Sequence, residues 1–387
     1  MTHPFRKRLQ LAALLVLTLI VAAGCVSART GVSWPSVSLI GDNPYILLAY
    51  NNFMVQIDPA DGTEVKLRDA EGNVRVDPST GEARTWDLTE GTIQSFYTAP
   101  LLIDDGATLL STEYNHKFVE IEYATARLDT ANSTTISGQP IADMVVDEEA
   151  DRIYIGYNTS NLEAFDRETL DVLWTFKTNN GVWAKPLLHE GILYFTSMDH
   201  NLYAVETSAG ELVWELDLGG AAASTPVLVG DRRYVGTFGR SVVEVTLDGE
   251  LTASFETGNW VWGSPAVDGD TIYVADLSGI VYALSAPGLT PRWTVSAAEQ
   301  GIRPSPVVIG DTVIVVSRTG KLVWLQTSDG SIIQTREISD EVLSDLVIVP
   351  AGEGLREPLI IVTGIHNNPT LAAFTTTDGQ RVWEYRR

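Results

Sequence analysis

Runs of four to eight apolar residues, each broken by Gly, Asp, Asn or Ser, recur along this chain. The stretch 181–219, GVWAKPLLHEGILYFTSMDHNLYAVETSAGELVWELDLG, shows the pattern most fully. It reads as a proline-led apolar strand, a Glu-Gly turn, the strand ILYFTS, a polar turn, the strand LYAVE, and a Gly-closed turn into ELVW. Runs of that length between turn residues predict short antiparallel strands, not helices. One four-stranded unit cannot bury both its faces alone, which makes internal repetition the first expectation.

Copies do follow, in phase. Pro186, Pro226, Pro265 and Pro306 are separated by 40, 39 and 41 residues, and Trp174 to Trp214 spans 40. The first copy contains MVQIDPADGTEV (residues 54–65). The third carries Met144 in the proline's place, and the eighth, with longer turns, ends the chain. Between Gly62 and Pro100 about 22 residues exceed the spacing of the fourth copy; their Glu-Gly-Asn and Asp-Pro-Ser-Thr-Gly turns predict a hairpin or loop inserted near 67–90. Period and strand content predict an all-β fold, an eight-bladed β-propeller of four-stranded antiparallel blades. Seven blades is the fallback if the first copy is not a full sheet. The two ends fall at matching phase, so the first and last blades should close the ring.

The first residues stand apart from this pattern. Arg6, Lys7 and Arg8 precede an apolar core over 9–23, and Ala22-Ala23-Gly24 leads into Cys25, the chain's one cysteine. That is the layout of a secretory signal peptide, and its end resembles a bacterial lipobox, in which the cysteine is lipidated and becomes the new N-terminus. The expected organisation is a lipoprotein signal peptide over 1–24, a lipidated tether over 25–33 and one propeller domain over 34–387. An ordinary signal peptide or an uncleaved anchor ending near Cys25 is the alternative. Lipidation also accounts for a lone thiol in an exported chain. The formal charge of −24 argues against nucleic acid or an anionic lipid surface as partner, and its simplest role is solubility.

The repeat endings YAVETSAGELVW, EAFDRETLDVLW and LAAFTTTDGQRVW resemble the PQQ-type propeller repeat, Ala-x-Asp-x-x-x-Gly-x-x-x-Trp. Glu206, Asp166 or Thr375 takes the Asp place, and Trp174, Trp214, Trp293 or Trp383 the Trp place. The Gly permits a turn with positive φ, and the Trp offers a flat surface to dock on an adjacent blade. Two branches of that superfamily bear on function. Quinoprotein dehydrogenases imply a vicinal disulfide, a calcium or lanthanide site and often Cys-x-x-Cys-His; a chain with one cysteine departs from the first and last. The BamB-type lipoproteins, eight-bladed cofactor-free scaffolds for outer-membrane barrel assembly, are similar in lipobox, tether, size and repeat number. That resemblance implies a monomeric, exported lipoprotein of the cell membrane or outer membrane, with another envelope protein as partner and no cofactor. An extracytoplasmic ligand sensor is the second reading, and a quinone-dependent dehydrogenase the third.

Few residues point to chemistry. His116, His189, His200 and His366 fall in different repeats without metal-ligand spacing. Neither a Gly-x-Ser-x-Gly elbow nor a His-Glu-x-x-His motif occurs. Asp58, Asp61 and Gly62, like Asp268 and Asp270, suggest calcium but lack the further ligands, and read as turn residues. No catalytic or metal-binding residue is therefore expected. One set does stand out. The residues three before the aligned proline are Tyr97, Ile141, Trp183, Ala223, Trp262, Arg303 and, by a looser alignment, Val342. Two positions on come Ala99, Asp143, Lys185, Thr225, Ser264, Ser305 and Ser344. On an innermost strand these share a facing. If they converge, Tyr97, Asp143, Trp183, Lys185, Trp262 and Arg303 form a ligand or partner site at one channel mouth, with Asp143 and Lys185 paired on adjacent blades. Such a mouth suits a peptide, glycan or planar ligand. The competing expectation is that Trp183 and Trp262 only plug the axis.

Overall fold

The computed structural model describes residues 35–387, apart from 42–43, 70, 89–94, 104–105, 130–133 and 353. The leader, Cys25 and the tether lie outside the described residues. Blade 4 shows why the strands read as they do. Its second and third strands, Ile192–Thr196 and Asn201–Glu206, are buried on both faces by neighbouring blades, so they are continuous apolar runs. Its outermost strand, Leu212–Asp217, alternates toward solvent, and its innermost, Leu187–His189, is only half covered. Eight such four-stranded antiparallel sheets form the ring, so the fallback of seven does not apply. Each blade uses four strands consecutive in sequence, running from axis to rim. At the axis the first strands of blades 1 and 8, 3 and 4, 5 and 6, and 6 and 7 touch.

Adjacent blades are locked by a recurring joint. In blades 3, 4, 6 and 8 a small alanine on the third strand faces a tryptophan on the outermost: Ala164–Trp174, Ala204–Trp214, Ala283–Trp293 and Ala373–Trp383. The indole reaches past its own sheet to the outer turn of the next blade. Trp174 Nε1 donates to Thr207 O at 2.9 Å, Trp214 to Leu247 O at 2.8 Å and Trp293 to Thr327 O at 2.7 Å. The ring lies on the glycine of that turn. A Cβ on Gly210 would stand 2.6 Å from Trp174, and one on Gly249 equally close to Trp214. The repeat's Gly and Trp thus meet across blades, not within one turn.

Where the outermost strand lacks the Trp, other side chains make the joint. In blade 7 the large residue moves to the third strand: Trp324 faces Gln334 and donates to Thr376 O at 3.0 Å. Blade 5 makes the same exchange with Glu244 opposite Ala253, its Oε2 accepting from Gly288 N at 2.6 Å. Trp86 serves blade 1, donating to Tyr123 O at 2.6 Å. Between blades 2 and 3, Phe118 meets Phe165 edge-on at 4.9 Å.

The last joint closes the ring without strand exchange. Trp383 of blade 8 donates to Pro59 O of blade 1 at 2.8 Å, and a Cβ on Gly62 would stand 2.6 Å from its ring. Ile46, Leu48 and Val55 of blade 1 pack there with Ile361, Leu371 and Ala373 of blade 8. Tyr385 OH donates to Glu64 at 2.7 Å, and Arg387 pairs with Asp87 at 2.9 Å.

Between the third and fourth strands of blade 1 (Phe53–Ile57 and Asp87–Leu88) the chain makes a three-turn excursion. Its segments bond in two stacked backbone triangles. In the first, Gln56 N donates to Trp86 O, Trp86 N to Val65 O and Val65 N to Gln56 O; in the second, Leu67, Arg84 and Arg75 repeat the circuit. Leu67 and Trp86 bury themselves against Leu109 and Ile121 of blade 2.

Candidate functional site

The residues expected on the innermost strands lie on the segments that lead into them. Trp183 and Lys185 precede Leu187–His189, and Trp262 precedes Ala266–Asp268. Alternation holds even so. Val182, Ala222, Val261 and Ile302 are fully buried, while Trp183, Ala223, Trp262 and Arg303 line a cavity of about 220 Å³ at the axis. Tyr97, Asp143 and Lys185 line it too, so the structure brings all six candidate residues together. Blade 8 corrects the alignment by one residue. Val342 is buried with Val182 and its equivalents, and Leu343 and Asp345 take the equivalent lining positions, with Ser344 between them also at the cavity and donating to Pro35 O. Leu346 stands in the proline's place there, so no proline marks the phase.

The walls are aromatic. The indoles of Trp183 and Trp262 meet as a tilted pair, with centroids 6.4 Å apart and planes at 49°. Ala223, from the blade between them, lines the same cavity. The Arg303 guanidinium sits 4.3 Å over Trp262. Phe238 packs on Trp262 at 4.8 Å and stacks on Trp260 at 5.2 Å and 15°. Trp260 is 46% exposed, so an aromatic trail runs from the axis to the open face. Tyr97 packs against Tyr114 at 4.7 Å.

Below the aromatics runs a polar girdle in which one blade's backbone donates to the next blade's side chain. Thr225 N donates to Ser264 Oγ at 2.8 Å and Ser264 N to Ser305 Oγ at 2.9 Å. Ser305 donates to Asp345 through its amide at 2.7 Å and its hydroxyl at 3.0 Å. Ala99 N donates to Asp143 Oδ1 at 2.8 Å. The direct partner of Asp143 is therefore this amide. Lys185, an exposed ammonium, acts on Asp143 as a nearby charge and not through the pairing expected from sequence. Burial raises the Asp143 carboxyl above the usual range, while the Ala99 amide and Lys185 pull it back. Burial, with the like charge of Arg318, pushes Arg303 down to about 10, so it is still a cation at neutral pH. Burial also raises the Tyr97 hydroxyl.

The calcium-like acids have other work. Asp58 accepts from Ala60 N at 2.8 Å, Asp61 from Thr63 N at 2.9 Å, and Asp270 pairs with Arg292 at 2.6 Å. Among the described residues no group of three His, Cys, Asp or Glu is placed to hold a metal. Sequence reasoning missed Asp345, through the one-residue slip, and the Phe238–Trp260 stack, whose members come from two loops. The adjacency of Trp260 and Trp262 in GNWVWG was the visible signal.

Residues 158–288 and 277–387, together more than half of the chain, match the family model described as "Outer membrane protein assembly factor BamB". BamB of Legionella pneumophila (strain Paris) is 28% identical over 199 residues, 48% of this chain and 50% of that protein. BamB of Yersinia pestis is 24% identical over 329 residues, 76% of this chain and 81% of that protein. Quinohemoprotein alcohol dehydrogenase ADH IIB of Pseudomonas putida is 26% identical over 168 residues, 42% of this chain. The chain thus spans half the length of the Legionella relative and 23% of the dehydrogenase. Among solved structures, BamB from Moraxella catarrhalis superposes with a TM-score of 0.64 at 14% identity, covering 87% of this chain and 92% of that one. The computationally designed Ika8 protein reaches 0.67 at 12% identity, covering 89% and 98%. At such identities the structural likeness speaks for the fold alone. Repeat, eight contiguous blades and family model agree: the chain belongs to the PQQ-repeat propeller family described as outer membrane protein assembly factor BamB.

Proposed function

We propose that this protein is a non-enzymatic scaffold of the cell envelope, holding another envelope protein on the face that carries the axial mouth. The family match over blades 4 to 8 carries this reading. The architecture suits it. Side-chain joints lock each blade to the next, so the ring presents loops from successive blades in fixed positions with no ordering cost on docking. Residues 1–24 are removed, Cys25 is lipidated, and 25–33 tether a monomeric ring to the cell membrane or outer membrane. The quinohemoprotein similarity covers repeats shared by many propellers, and a fold shared with an enzyme does not carry its chemistry.

The test is to purify the full-length tagged chain from detergent-solubilised membranes and identify what co-purifies. A stoichiometric envelope protein is expected, together with release of the chain from the membrane fraction in Cys25→Ala. Recovery of the chain alone from membranes would overturn the scaffold reading, and a new visible band on adding quinone and calcium would favour the dehydrogenase.

A further inference from the structure

We infer that the axial cavity binds the terminal ring of a neutral oligosaccharide, a role beyond protein docking. A pyranose has an apolar face of C–H groups and a rim of hydroxyls. A matching site needs a flat aromatic surface for the face and short hydrogen-bonding side chains at the rim. The mouth holds both, at two levels. Trp183 and Trp262, tilted at 49° to each other, line the cavity together with Ala223 of the blade between them, an aromatic wall against which the apolar face of a ring can lie. Below it stand Thr225, Ser264 and Ser305, with the carboxylates of Asp143 and Asp345.

The girdle holds these groups in place before any ligand arrives. Ser264 and Ser305 each accept a backbone amide of the neighbouring blade, and Asp345 holds Ser305 at both oxygens. Hydroxyls and carboxylates with further donor or acceptor capacity, already fixed in orientation, are what a polyol rim requires.

Charge selects among ligand classes. Lys185 and Arg303 face Asp143 and Asp345, so the lining carries two charges of each sign. A planar polyanion would meet both carboxylates, and a polycation both bases. A neutral ligand with many hydroxyls can use every one of them. Size agrees: about 220 Å³ corresponds to roughly seven waters at ~30 Å³ each, enough for one sugar ring and too little for a helix. The next rings have a path outward over half-buried Phe238 and exposed Trp260, stacked at 5.2 Å.

Intrinsic tryptophan emission is the natural readout, since two indoles line the cavity. The exported chain would be titrated with glucose, N-acetylglucosamine, maltotriose, cellotriose and chitotriose, with 2-naphthoate and an apolar heptapeptide as competitors of other classes. Saturable binding of at least one trimer below about 1 mM is expected. Trp262→Ala and Trp183→Ala should weaken it at least tenfold. Ala223→Phe, which fills cavity space, should abolish it while leaving the far-ultraviolet circular dichroism and the unfolding midpoint unchanged. Lys185→Met, at an exposed position, should weaken it with no effect on folding. Absence of binding by every sugar up to about 10 mM, binding of only the naphthoate or the peptide, or sugar binding that survives Ala223→Phe would each overturn the inference. Partner capture is read on the parent chain from membranes and sugar binding by titration, so loss of one reading leaves the other standing.

Discussion

At the scale of single residues, Asp143 shows what an axial position does to a carboxyl. It touches the cavity yet is surrounded by protein, and burial outweighs both the Ala99 amide and the Lys185 charge in raising its pKa. The sign for stability follows. Below the unfolded value of 3.8 both states are protonated. As pH rises past it the unfolded chain ionises first, and the folded state loses stability until its own carboxyl ionises. Asn keeps an oxygen for the Ala99 amide but cannot ionise. Asp143→Asn should therefore unfold at a higher temperature than the parent at pH 7, with the difference vanishing near pH 3. Thermal unfolding followed at a series of pH values decides this. A parent more stable than the variant at pH 7 would mean that Lys185 outweighs burial.

Blade elements are joined by the tryptophan of one and the glycine of the next. Gly210 has φ +71°, a conformation that costs other residues, and a Cβ there would overlap Trp174. Gly210→Ala should cost roughly 2–4 kcal/mol, combining backbone strain with overpacking. In a Trp174→Ala background the overpacking disappears, so the two effects should be non-additive by about 1–2 kcal/mol in a double-mutant cycle from denaturant unfolding. Additivity would show that the indole is not seated on the glycine.

This joint also marks what the sequence could tell. Period, strand count and blade number were legible because Pro186, Pro226, Pro265 and Pro306 keep phase. The partner of each Trp was not, since a linear pattern places Gly210 beside Trp214 while folding places it against Trp174. Trp324 carries no such mark in the sequence, because the large residue can stand on either member of a cross-strand pair. At the axis, alternation foretold the convergence of Trp183, Trp262 and Arg303. Where Leu346 replaces the proline, nothing in the sequence marks the one-residue shift that brings Asp345 to the cavity.

For the molecule as a whole, stability depends on a seam between its ends in sequence. Trp383→Ala removes an indole whose N–H holds Pro59 O and whose ring rests on Gly62. The expected loss is about 3–5 kcal/mol, typical of a buried aromatic. Hydrogen exchange should report it first as faster opening of blades 1 and 8, with blades 4 to 6 protected. Uniform loss of protection would show that the ring opens all at once.

The seam is made of the same parts as the joints elsewhere, and no strand is traded across it. A ring assembled this way has no privileged first blade; its order of synthesis is only the place where a circle was cut. Linking residue 387 back to 35 and opening the chain between blades 4 and 5 should give a circular permutant with the same eight joints. Gene rearrangements that add, drop or rotate one period of about 40 residues would then need no new way of closing the circle.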